Sequence, residues 1–176
     1  KQSRSKNYQE WKYLFHVDKP IVPVALWYPN DSLTLNWEGK KSADVVSLSS
    51  GYIDMAAQFR DYTDFDYVDE SMLRTGALSH NKVLVIIKGE VMEPSDAKRI
   101  SDWAKKGGRV IVMDVPKFES VEGTRATEDI LFGNKGSNDR IIGKGRIVRV
   151  NGWDGLSDTL KNTLLELKLP TCDLIK

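Results

Sequence analysis

The sequence predicts an α/β fold with a doubly wound, mostly parallel sheet, and three observations carry that prediction. Val83 to Ile87 is five β-branched or leucine residues in a row, as expected of a strand covered on both faces. A helix follows, opened by Glu93-Pro94-Ser95-Asp96 and ended by Gly107-Gly108, and it leads straight into a second apolar run, Arg109 to Met113. Two buried strands joined by a helix of this length imply a parallel crossover. Third, strand-like and helix-like segments alternate along most of the chain, the pattern of a sheet with helices on both faces.

Taken in order, Tyr8 to Phe15 is short and amphipathic, with Trp11 and Phe15 one turn apart, and is read as a linker helix stopped by Pro20. The domain division is therefore residues 1–19 as a linker helix and 20–176 as one α/β domain. Ile21 to Trp27 is the first strand, followed by a turn over Tyr28-Pro29-Asn30-Asp31-Ser32 and an irregular stretch from Leu33 to Ser42. A helix over Ser49 to Phe59 should bury Ile53, Ala56 and Ala57 beside Tyr52. Phe65 to Val68 is a short strand, and Ser71 to Leu78 a helical turn or two.

In the helix after Glu93, proline suits the first helical position and the acids suit the positive end of the dipole. Ala97, Ile100, Trp103 and Ala104 supply its apolar face. Thr127 to Phe132 reads as helix, Gly133 to Asp139 as a polar loop, Gly143-Lys144-Gly145 as a hairpin turn and Arg146 to Val150 as a strand. Leu156, Leu160, Leu164 and Leu167 mark a last helix, ended by Pro170.

Composition narrows the function classes. At 176 residues the chain can bury a real core, but a catalytic β/α barrel takes about 250 residues. The formal net charge of +1 makes no electrostatic case for nucleic acid or an anionic membrane. No stretch approaches the roughly 20 apolar residues of a membrane span. The single cysteine, Cys172, excludes an internal disulfide and a Cys-based zinc site. The polar, basic start, Lys1 to Asn7, lacks the apolar core of a signal peptide, and the absence of an initial Met reads as a fragment of a longer protein.

In a doubly wound sheet, ligands bind beyond the C-terminal strand ends. The candidate binding residues there are Trp27, Tyr28, Asn30 and Asp31 after the first strand, Lys88, Gly89 and Glu90 after the third, and Asp114 after the fourth. The turn after the first strand has no glycine and adds an acid, so it does not cradle a phosphate, and neither GxGxxG nor GxxxxGK[ST] occurs. After Met113 the chain reads Asp114-Val115-Pro116, with no nucleophile on the turn. The two histidines, His16 and His80, lie away from where a base would stand. No catalytic residue, metal ligand or cofactor site is therefore assigned.

Asp61, Asp64, Asp66, Asp69 and Glu70 lack the glycine of a calcium loop and read as a solvated strand face. The basic run Lys135, Arg140, Lys144, Arg146 and Arg149 is diluted by Glu128, Asp129 and Asp139. Trp37 and Trp153 lie in loop-like segments and are the two indoles available to stack on a sugar.

Several of these segments in order resemble the trimerisation domain of bacterial β-galactosidases, a domain with a class I glutamine amidotransferase-like, flavodoxin-like fold. They are the linker helix into Ile21-Val22-Pro23-Val24-Ala25-Leu26-Trp27-Tyr28-Pro29, then Phe65-Asp66-Tyr67-Val68, then Asn81-Lys82-Val83-Leu84-Val85-Ile86-Ile87-Lys88-Gly89. Pro94-Ser95-Asp96 with its helix to Gly107-Gly108-Arg109-Val110-Ile111-Val112 follows, and Gly143-Lys144-Gly145-Arg146-Ile147-Val148 closes the set. The resemblance implies a parallel sheet, a sugar-processing context, a preceding catalytic barrel and contacts with other subunits of the same protein, the domain itself being non-catalytic. Localisation is not fixed by the residues, and this context favours the periplasm or exterior over the cytoplasm. The wider amidotransferase-like superfamily places its Cys after the strand matching Arg109 to Met113, where this chain has none.

The chain departs from the family in its Leu33 to Ser42 and Phe118 to Asp139 segments. Three readings follow: a non-catalytic accessory or oligomerisation domain of a glycoside hydrolase, a carbohydrate-binding module using Trp37 or Trp153, or a small hydrolase with a carboxylate site at Glu90 and Asp114.

Overall fold

The structure, a computed structural model, describes residues 22–35, 42–133 and 137–169, with side chains described for all of these except 42–50. The expected linker helix over Tyr8 to Phe15, the loop residue Trp37 and Cys172 lie outside the described residues.

Along the chain run β1 (Val24–Trp27), α1 (Asn30–Leu35), α2 (Ser42–Phe59), β2 (Asp66–Val68), α3 (Glu70–Arg74), a 3-10 turn (Ala77–His80) and β3 (Val83–Ile86). Then come α4 (Pro94–Lys105), β4 (Arg109–Met113), α5 (Ala126–Phe132), β5 (Asp139–Ile142), β6 (Gly145–Val150) and α6 (Gly152–Glu166). The six strands form one sheet in the order β2-β1-β3-β4-β6-β5. Every pairing is parallel except that of β5 with β6.

The side-chain alternation of the strands sorts the core into two layers. Ala25, Trp27, Leu84, Ile86, Val110, Val112 and Ile147 face one side, where Ala97, Ile100 and Ala104 of α4 and Leu131 and Phe132 of α5 meet them. Val24, Leu26, Val83, Val85, Ile111 and Met113 face the other, against Tyr52, Ala56 and Phe59 of α2 and Leu156, Leu160 and Leu164 of α6. All four residues of β1 and of β3 are buried, which is why both read as unbroken apolar runs. The sheet is thus α/β, mostly parallel and covered on both faces, as the alternation predicts.

Four elements differ from the sequence reading. The expected turn after β1 continues as α1, because Pro29 leaves its carbonyl to accept from Leu33 N at 2.9 Å and Asp31 suits the first turn. Helix α2 begins at Ser42, and its buried stripe is Tyr52, Ala56 and Phe59; Ile53 is 60% exposed and Ala57 is exposed as well. The expected polar loop ends in a strand, β5, paired antiparallel to β6 across the hairpin at Gly143. Its burial alternates only weakly, with Ile141 exposed and Ile142 buried, so it carries no clean strand signature. Helix α6 starts at Gly152, a turn before its first buried leucine.

Candidate functional site

From β1 the chain turns to β2 on one side, and from β3 it turns to β4 on the other, so strand order reverses between β1 and β3. The crevice beyond their C-terminal ends is where such sheets take ligands. Gly89 lies in the loop after β3 with φ +113, and a Cβ there would sit 2.5 Å from Cβ of Pro29. Only glycine combines that backbone angle with so close an approach, and this contact draws the two loops together.

Most of the candidate residues converge on this crevice. Trp27 is fully buried, and its carbonyl accepts from the Tyr52 hydroxyl at 2.7 Å. Tyr28 is half-buried and edge-on to both Tyr52 and Tyr67, at 5.2 and 6.3 Å between ring centroids. Asn30 Nδ2 approaches Asp69 Oδ2 at 3.4 Å, and Asp31 N donates to Glu70 Oε1 at 3.1 Å. Ser32 Oγ lies 3.5 Å from Glu90 Oε2, so Glu90 leans from the β3 loop toward α1. Lys88 is half-buried between β3 and Gly89.

Asp114 stands apart. It adopts φ +53, which aspartate tolerates better than most side chains. Its Oδ1 accepts from Gly152 N at 2.9 Å, while its own N donates to Val150 O at 3.2 Å. It therefore holds the start of α6 against the end of β4. Glu90 and Asp114 turn to different neighbours, one to α1 and the other to α6.

The crevice also collects acids that the sequence reading did not assign to it. Glu70, expected on a solvated face, is 5% exposed, and Asp96 is fully buried. Asp96 accepts from Arg74 Nε at 3.2 Å and Nη2 at 2.6 Å. Burial pushes the Asp31 carboxyl above its ordinary range; the negative charge of Asp96 adds to this and Arg74 opposes it. One oxygen of Asp31, Oδ2, is buried without a hydrogen-bond partner among the described residues.

Burial likewise raises Glu70, against the hydrogen bonds it accepts, and raises Glu93, where Glu122, Asp31 and Asp96 add repulsion. Carboxyls of this kind can accept or donate hydrogen bonds to hydroxyl-bearing ligands. The signal for Glu93 and Asp96 was the helix-opening Glu93-Pro94-Ser95-Asp96, read only as a complement to the helix dipole. Glu70 was hidden because burial there depends on α1, which the sequence reading did not place. No group of three or more His, Cys, Asp or Glu among the described residues is arranged to hold a metal ion.

Trp153, one of the two candidate sugar-stacking indoles, is half-buried and stacked on Tyr62 at 5.9 Å with 5° between the ring planes. At the opposite end of the sheet, a groove of about 820 Å³ opens at the N-terminal ends of β3 and β4, between Leu78, Trp103 and Leu169. No described helix is long and apolar enough to cross a membrane.

No protein-family model matches the sequence, and no curated protein matches it by sequence. Solved structures do match the fold. Gan42B, a GH42 β-galactosidase from G. stearothermophilus, in its catalytic-mutant form, superposes with a TM-score of 0.65 and 12% identity, covering 95% of this chain and 33% of the β-galactosidase. A second structure of Gan42B gives a TM-score of 0.60 and 11% identity over the same shares. An apo exo-carrageenase GH42 from Bacteroides ovatus gives 0.59 and 13%, covering 90% of this chain and 19% of that one. This chain thus has the α/β fold of one part of these enzymes and spans a third of their length or less.

Proposed function

We propose that this chain is a non-catalytic accessory domain of a multidomain glycoside hydrolase, carried after a catalytic domain in the same polypeptide. The observation that carries the reading is the lopsided coverage: 95% of this chain matches one third of a GH42 β-galactosidase at a TM-score of 0.65. In detail, the reading is of a flavodoxin-like, amidotransferase-like domain related to the trimerisation domain of bacterial β-galactosidases. Such a domain works through contacts with the catalytic domain and with other subunits.

The residues at the strand ends support it. The turn after β4, where an amidotransferase-like nucleophile would stand, holds Asp114, and that side chain is engaged with the start of α6. Trp27, Tyr28, Asn30, Asp31, Lys88, Gly89 and Glu90 remain the residues through which the crevice would touch a ligand or a neighbouring domain.

Two measurements test this reading. The coding region upstream of Lys1 should specify a catalytic domain with paired carboxylates. The purified chain should turn over neither an aryl β-galactoside nor glutamine. Turnover by the chain, abolished in Glu90→Gln or Asp114→Asn, would overturn the reading and make the crevice an active site.

A further inference from the structure

We propose that α1 is a proton-operated latch over the crevice, closed when the Asp31 carboxyl carries a proton and loosened when it is ionised. The inference rests on the reading above only in treating the crevice as a contact site, and it adds what controls access to that site.

The first observation is how α1 is held. A helix of six residues is too short to stand without tertiary contacts. The side-chain contacts that tie it down run to carboxylates. Asp31 N donates to Glu70 Oε1 at 3.1 Å, Asn30 Nδ2 stands 3.4 Å from Asp69 Oδ2, and Ser32 Oγ stands 3.5 Å from Glu90 Oε2. These three acids come from two separate segments, the start of α3 and the loop after β3.

The second observation is what faces the Asp31 side chain. Glu70 approaches from α3, and Glu93 and Asp96 from the start of α4. Glu122 adds negative charge beside Glu93. Arg74 is a cation within reach, but its Nε and Nη2 are engaged with Asp96 at 3.2 and 2.6 Å. Arg99 also turns to Asp96, at 3.9 Å, and Lys88 is half-buried in the loop after β3. Asp31 Oδ2 is buried without a hydrogen-bond partner among the described residues. Ionised, that oxygen is an unsatisfied acceptor beside other carboxylates. Protonated, it becomes a donor among acceptors.

The titration agrees with this geometry. Burial raises the Asp31 carboxyl above its ordinary 3.8, Asp96 adds to the rise, and Arg74 and the backbone of Glu93 oppose it. A carboxyl raised in the docked state holds α1 fully below its undocked value, and that hold is lost as pH rises through the docked one. Glu70, raised by burial as well, acts in the same direction. The latch therefore closes in acid and loosens toward neutrality, where it releases Asp69, Glu70 and Glu90 to a ligand or a neighbouring domain.

The test is amide hydrogen exchange on the full chain at about pH 4.5 and about pH 7.5, corrected for the intrinsic chemical rate. Amides of residues 31–35 should lose protection several-fold at the higher pH while β4 keeps its own. In Asp31→Asn they should stay protected at both. Glu90→Gln, which leaves Asp31 in place, should keep the wild-type response. Equal protection of residues 31–35 at both pH values in the wild type would overturn the latch. So would a parallel loss in β4, a response that persists unchanged in Asp31→Asn, or one abolished in Glu90→Gln. Since no readout involves catalysis or an upstream domain, the latch and the accessory role can fail independently.

Discussion

Glu70 sits where burial and hydrogen bonding oppose one another. It accepts from Asp31 N at 3.1 Å, yet burial holds its carboxyl above the ordinary value of 4.5. A carboxyl raised in the fold contributes stability that is complete below its unfolded pKa and is lost as pH rises through the folded one. Glu70→Gln keeps an oxygen for Asp31 N and removes the ionisation. Urea midpoints of the variant and wild type should therefore agree near pH 4 and separate in the variant's favour toward neutrality. A constant offset at every pH would show that Glu70 does not titrate in this window. The same residue shows why the crevice was only half legible. Asp31 and Glu90 could be placed from their positions after apolar runs, whereas Glu70 and Asp96 are buried where separate helices meet, Glu70 accepting from Asp31 N and Asp96 from Arg74.

At the scale of elements, the β5–β6 hairpin shows how tightly its turn is seated. Gly143 has φ +58, and a Cβ on Gly145 would lie 2.0 Å from Ala104 O and 2.3 Å from Gly108 O. These are backbone atoms and cannot swing aside, so the turn rests directly on the end of α4. Gly145→Ala should cost about 2–3 kcal/mol or more through a forced backbone shift, lowering Tm by roughly 5–10 °C for a domain of this size. A Tm within a degree of wild type would mean the hairpin can lift without loss. Elements with a strong period were legible: β1, β3, β4 and α4 follow their apolar patterns closely. Those that depend on partners were not. The strand β5 alternates poorly and exists through its pairing with β6, and α2 buries Tyr52 and Phe59 in preference to Ile53, because its rotation is set by Val24 and Leu26 beneath it.

For the whole molecule, the two core layers share the backbone of β3 and β4, so damage to one layer should reach the other. Ile100 is fully buried between α4 and the sheet. Ile100→Asp buries an unpaired carboxylate at a cost of several kcal/mol, comparable with the roughly 5–15 kcal/mol of a whole domain. Circular dichroism and the amide-exchange protection of Leu160 and Leu164, in the opposite layer, should be lost together. Loss of one signal alone would show that the layers unfold separately. The groove has a further consequence. Val22 is tied to Asn81, and Asn81 and Leu169 line the same groove. Slack on either side of that groove should therefore be passed to the other through the wall they share.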